Sequence, residues 1–110
     1  MLKMDLEYNG GILFVRLDGV LNRKSSYKIN CYLNPVLKKH KIKYLVYNFF
    51  FLQDIDEAGV DSLINTKVEI KENRGKIAIC EVSKEIKNKL KRLKITKIEN
   101  ESEAFKLIEV

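Results

Sequence analysis

The stretch that most constrains this chain is Tyr44-Leu45-Val46-Tyr47-Asn48-Phe49-Phe50-Phe51-Leu52 followed by Asp54-Ile55-Asp56-Glu57-Ala58-Gly59-Val60. The first part is a near-continuous apolar run, the pattern of a strand in a sheet covered on both faces. After the second part, Val60, Leu63, Ile64 and Val68 recur at the spacing of one apolar helical stripe. A buried strand therefore passes directly into an amphipathic helix, with carboxylates at the junction. Asp56 suits the N-cap, because its side chain can accept a backbone N–H that the first turn leaves unpaired, and Glu57 then lies where the helix dipole favours negative charge. Capping accounts for both acids without any function. Gly59 is harder to explain as helix filler, since glycine costs up to ~1 kcal/mol against alanine there. A close approach to its backbone is expected.

The same reading extends along the chain as strand, strand, helix, strand, helix, strand, helix, short strand, helix. Strands over Lys3–Tyr8 and Ile12–Asp18 flank Asn9-Gly10-Gly11, which supplies the positive-φ residues of a hairpin. A first helix is predicted from Ser25 to His40 with Ile29, Leu33, Val36 and Leu37 inward, kinked or restarted where Asn34 caps and Pro35 opens a new turn. Gly75 terminates the second helix. Lys76–Val82 forms the fourth strand, and Ser83 caps a third helix with Ile86, Leu90 and Leu93 inward. An extended piece over Ile95–Ile98 precedes a last helix, in which Asn100 and Glu103 have capping-box spacing. Alternating strands and helices imply right-handed parallel crossovers. The predicted fold is α/β: one small domain over residues 1–110, with a mixed, mostly parallel sheet of four to five strands and about four helices.

Several segments resemble, in order, the STAS domain of the anti-sigma-factor antagonist family. Asp56-Glu57-Ala58-Gly59 is similar to the family's Asp-x-x-Gly at a helix start, and Gly19-Val20-Leu21-Asn22 to its Gly-x-Leu-Asp. Gly75-Lys76-Ile77-Ala78-Ile79-Cys80 resembles its glycine-led fourth strand, and Ser102-Glu103-Ala104 the opening of its last helix. The resemblance implies a noncatalytic domain that binds an anti-sigma factor or a serine kinase of the histidine-kinase-like ATPase fold. It places the partner-binding surface on Asn22, Arg23, Asp56, Glu57, Ala58, Gly59, Asp61 and Ser62. Members switched by phosphorylation carry Asp-Ser-(Ser/Ala)-Gly, where phosphate on the serine disrupts partner binding by repulsion and desolvation. Glu57 stands in place of that serine and cannot accept phosphate. Two readings follow: a permanently phosphorylated-like form, or a first-turn acid to which the partner has adapted. Asn22 also replaces an aspartate, and Asp61 a small residue.

Composition agrees with one compact domain of 110 residues, 45% hydrophobic and 33% charged. The apolar run is too short to span a bilayer, and the first residues lack the pattern of a secretion signal, so a cytoplasmic protein is expected. Cys31 and Cys80 have neither CxxC spacing nor histidine neighbours and are expected to be free, mostly buried thiols. His40 lies among lysines at a helix end and reads as structural or solvated. The formal charge of +6 is concentrated on Lys84, Lys87, Lys89, Lys91, Arg92, Lys94 and Lys97 around the third helix. Without interleaved aromatic residues or a recognition pattern, this stripe reads as a solvated face rather than a nucleic-acid site. A binder of acidic partners or nucleic acid through that helix stays open as an alternative. So does a constitutive scaffold subunit of a signalling or lipid-transport assembly. No phosphate loop, nucleophile–base pair or metal-ligand spacing points to catalysis or a cofactor.

Overall fold

The computed structural model describes residues 1–108. Strands β1 (Leu2–Asn9) and β2 (Ile12–Leu21) form the expected hairpin, with positive φ at Gly10 and Gly11. β3 (Tyr44–Ile55) pairs parallel to β2, β4 (Lys76–Cys80) parallel to β3, and β5 (Thr96–Ile98) parallel to β4. The five strands lie in chain order, and only β1 is antiparallel. When every crossover steps to the next strand in one direction, a constant handedness puts every connecting helix on the same face. That face carries the main core, where Leu33, Leu37, Val60, Leu63, Ile70, Ile86, Leu90 and Leu93 meet Val15, Leu45, Tyr47, Phe49 and Ile79.

β2 and β3 each run three residues beyond the expected end, because their pairing continues through two irregularities to Leu21 opposite Ile55. β4 stops two residues early: Glu81 adopts a φ of 54°, which no strand accommodates. The opposite face of the sheet is covered only in part. A C-terminal 3-10 helix (Glu101–Leu107) lays Ala104 and Leu107 on Ile12, Val46, Ala78 and Cys80. Beyond it Phe50 and Phe51 stand exposed in an edge-to-face pair, so the apolar run of β3 is buried on both sides only along its first half.

The helices depart from expectation in instructive ways. The helix expected from Ser25 begins later, after turns that follow Asn22, as a π-helix (Lys28–Leu33), and the restart expected at Asn34-Pro35 is where α1 (Asn34–Lys39) takes over. The Asn34 N–H bonds the carbonyl of Ile29, five residues back. Pro35 has no N–H to give and its ring crowds the preceding turn, so the ladder widens ahead of it. Asn34 is no cap: it is buried, and its side-chain oxygen accepts the Thr66 hydroxyl at 2.7 Å. Val36 points outward, while Ile29, Leu33 and Leu37 are buried as predicted.

Helix α2 (Glu57–Glu72) buries Val60, Leu63 and Ile70, but Val68 is half exposed and Ile64 only half-buried. Ser62 and Thr66 take the buried positions instead. The Ser62 hydroxyl donates to the Gly59 carbonyl at 2.6 Å, and Thr66 meets the Tyr47 hydroxyl at 2.6 Å, so neither polar group is orphaned. Arg74, with φ of 61°, makes the turn after α2 that Gly75 was expected to make. Helix α3 (Lys84–Asn88) is only five residues long, yet Ser83 caps it at 3.2 Å and Ile86, Leu90 and Leu93 are buried as expected. At the C-terminal helix, Asn100 accepts the Ser102 N–H as a cap should, but the tighter 3-10 winding brings Glu103 to the Glu99 N–H rather than to that of Asn100.

Arg16 fastens the C-terminal helix to the sheet. Its guanidinium meets both oxygens of Glu101, at 2.9 and 2.7 Å, and Asn48 donates to the same carboxylate at 2.7 Å. Arg16, followed by Asn48, holds the Glu101 carboxyl below its usual range. This contribution is complete above the ordinary glutamate range and is lost as the pH falls through the lowered folded value. Beneath that helix Cys80 is buried, and burial pushes its thiol up to about 12, whereas Cys31 is exposed, contrary to expectation. A disulfide-exchange reagent should therefore consume one thiol per native chain and a second only on unfolding. Loss of the native reaction in Cys31→Ser would verify the assignment; rapid reaction of Cys80 in that variant would refute it.

Candidate functional site

The site is assembled where the C-terminal ends of β2 and β3 deliver the chain to the start of α2. Asp56 is extended and caps the helix, its Oδ1 accepting the Gly59 N–H at 2.9 Å. Its Oδ2 accepts the Arg23 N–H at 3.1 Å. The Asp56 N–H in turn donates to the Leu21 carbonyl at 3.2 Å. One aspartate thus clasps the β2 loop to the helix start, and cap and site are the same group. Asn22 shapes that loop from within, its Oδ1 accepting the N–H groups of Lys24 at 2.9 Å and Ser25 at 3.1 Å. Asn22, Arg23, Lys24, Asp56, Glu57 and Ala58 line one shallow open depression.

Two of the sequence-predicted residues lie elsewhere. Ser62 is fully buried and Gly59 is buried beneath the first turn, so neither offers a surface in this structure. The close approach expected at Gly59 comes from the chain itself: a Cβ there would stand 2.4 Å from the Leu21 carbonyl oxygen and 2.7 Å from Ile55 Cγ1. Asp61 is exposed one turn along α2.

What the sequence did not disclose is where the acids' counter-charges come from. Arg92, beyond α3, places Nη2 3.0 Å from Glu57 Oε2 and 3.0 Å from Asp61 Oδ1. Lys89 pairs with Asp54 and, together with the Ile55 N–H, holds that carboxyl below its usual range. Two of the seven cations assigned to a solvated stripe are therefore tied to the acids around α2. These are exposed pairs of the kind that add little to stability. Their consequence is electrostatic: Glu57 is not an isolated negative charge. No signal local to residues 54–61 could have found this, because the partners lie 31 and 35 residues away in sequence.

Residues 3–107 match the STAS domain family. The chain belongs to that family. The STAS domain is 25% identical over 113 residues to an anti-sigma F factor antagonist of Paenibacillus polymyxa, covering 99% of this chain and 97% of the relative. It superposes on the unphosphorylated form of the anti-sigma factor antagonist SpoIIAA with a TM-score of 0.79 at 18% identity, over 96% of this chain and 97% of the other. A Thermotoga maritima protein described as a putative anti-sigma factor antagonist gives 0.82 at 12% identity, over 94% and 92%. At those identities the two structures show that the STAS domain has their fold. Among the described residues, no helix is long and apolar enough to cross a membrane.

Proposed function

We propose that this STAS domain is a noncatalytic anti-sigma-factor antagonist. Its partner is an anti-sigma factor or a serine kinase of the histidine-kinase-like ATPase fold. The binding surface is the depression formed by Asn22, Arg23, Asp56, Glu57 and Ala58, with Asp61 at its edge. The observation that carries the reading is the double use of Asp56, which locks the β2 loop and the start of α2 into one preorganised surface. The names of the relatives support an anti-sigma factor; the kinase follows from the family resemblance alone.

Glu57 removes the hydroxyl that a switchable member would phosphorylate, and Arg92 offsets the charge that Glu57 brings. We therefore read the domain as a binder that is not switched at residue 57, rather than as a permanently phosphorylated-like form. The test begins with the kinase or anti-sigma factor recovered with the tagged chain from its own cells, followed by titration calorimetry. Arg23→Glu and Ala58→Arg should each weaken binding by about tenfold or more, as expected of substitutions central to an interface. Lys87→Glu combined with Lys91→Glu should leave it within a few-fold. The opposite pattern would move the interface to the basic segment around α3.

A further inference from the structure

The lysines of the opposite end of α2 behave differently from those that meet the acids. Lys67 and Lys71 of α2, Lys76 at the start of β4, and Lys94 and Thr96 around the entry to β5 line a single concavity of about 240 Å³. Among the described residues no carboxylate lines it. A second depression shares Lys94 and Thr96 and adds Lys87, Lys91 and Lys97, again without an acid among the described residues. Among the described residues none of these seven lysines is in an ion pair. Lys67 and Lys71 are a like-charged i,i+4 pair, an arrangement that opposes the helix carrying it. Lys67 is moreover fixed in place, its ammonium donating to the Lys94 carbonyl. Burial, then the nearby Lys71 and Lys94, drive that ammonium below its ordinary value. Three separate segments thus converge on positive charge that nothing in the described chain neutralises.

We propose that this concavity binds a multiply charged phosphate group. Lysine is a compact point charge with three donors, suited to phosphate oxygens approached from several sides. Nucleic acid fits less well, because no aromatic side chain lines either depression to stack a base. The Thr96 hydroxyl adds a neutral donor at the rim.

Titration of the ¹⁵N-labelled chain with pyrophosphate should produce saturable shifts centred on the backbone amides of Lys71, Gly75, Lys76 and Thr96. Lys67→Gln and Lys94→Gln should each weaken that binding by about tenfold, the loss of one charge-assisted hydrogen bond. Lys84→Gln, outside both depressions, should leave it unchanged. Because Lys67 is partly buried, Lys71→Gln, at an exposed position, serves as the second variant, with melting curves checking that each is folded. Sedimentation with phosphatidic acid vesicles that pyrophosphate competes away would place the group on a lipid headgroup; pyrophosphate binding without vesicle binding would make it a free ligand. The proposal is overturned by weak, unsaturable shifts spread over all basic residues, or by unchanged affinity in both Lys67→Gln and Lys71→Gln. Binding of a DNA duplex with no response to pyrophosphate would overturn it too.

Discussion

Gly59→Ala should lower the melting temperature by roughly 10–20 °C, although helix propensity alone argues for the opposite sign. An alanine in an exposed first turn would add up to ~1 kcal/mol of stability relative to glycine. At residue 59 the new Cβ would meet the Leu21 carbonyl oxygen at 2.4 Å, Ile55 Cγ1 at 2.7 Å and Leu21 Cγ at 3.0 Å. The first of these is backbone and cannot rotate away. It is also committed, since the same Leu21 carbonyl accepts the Asp56 N–H. Relief requires α2 to lift off the ends of β2 and β3, at a cost of about 2–3 kcal/mol, the upper part of the overpacking range. For a domain of this size that corresponds to the stated shift. Thermal unfolding followed by circular dichroism checks it. An unchanged or raised midpoint would show that α2 can move freely away from β2, and that Gly59 is kept for another reason.

Gly59 also shows how far the sequence could be read. Glycine in a first turn signalled a close approach, correctly; that the approaching group was the protein's own Leu21 and not a partner depended on how β2 and α2 pack, which no local pattern encodes. The order of strands and helices followed from hydrophobic periodicity, as did most inward residues, among them Leu63, Ile86, Leu90 and Leu93. Periodicity failed where polar side chains occupy the core face. Ser62 is buried because the Gly59 carbonyl accepts its hydroxyl, and Thr66 because Asn34 accepts its hydroxyl while the Tyr47 hydroxyl donates to it; without those partners both read as surface. In the helix before β3, Pro35 signals the break that occurs at Asn34, but nothing local tells that the turns ahead of it widen into π geometry. At the candidate site, Asp56 and Glu57 were legible from capping rules, and the loop residues through the family resemblance. Arg92 and Lys89 were not, because an ion pair between segments leaves no trace in the spacing of either.

Arg92→Gln should weaken partner binding on the order of tenfold, and Glu57→Ser added to it should restore most of that loss. Together Glu57 and Asp61 bring two negative charges and Arg92 one positive, leaving one net negative charge on these three side chains. With serine at residue 57 the sum would be zero, and with phosphoserine roughly −1.5 to −2 units in place of the serine hydroxyl. The native cluster therefore lies between the two states of a switchable domain, and Arg92 keeps it from reaching the second. Removing the guanidinium leaves two uncompensated carboxylates, close to the charge of the phosphorylated state, and a partner that rejects that state should reject the variant by the same repulsion. The fold should be almost unaffected, because Arg92, Glu57 and Asp61 are exposed and such pairs contribute little to stability. The double variant separates charge from contact. If Arg92 touches the partner directly, Glu57→Ser cannot compensate for its loss; if Arg92 acts by offsetting Glu57, it can. Calorimetric titrations of the native chain, the two single variants and the double variant make the measurement, with added salt shrinking the differences if they are electrostatic. Binding that is indifferent to Arg92→Gln, and strengthened tenfold or more by Glu57→Ser alone, would instead mark Glu57 as a standing substitute for phosphate despite its ion pair.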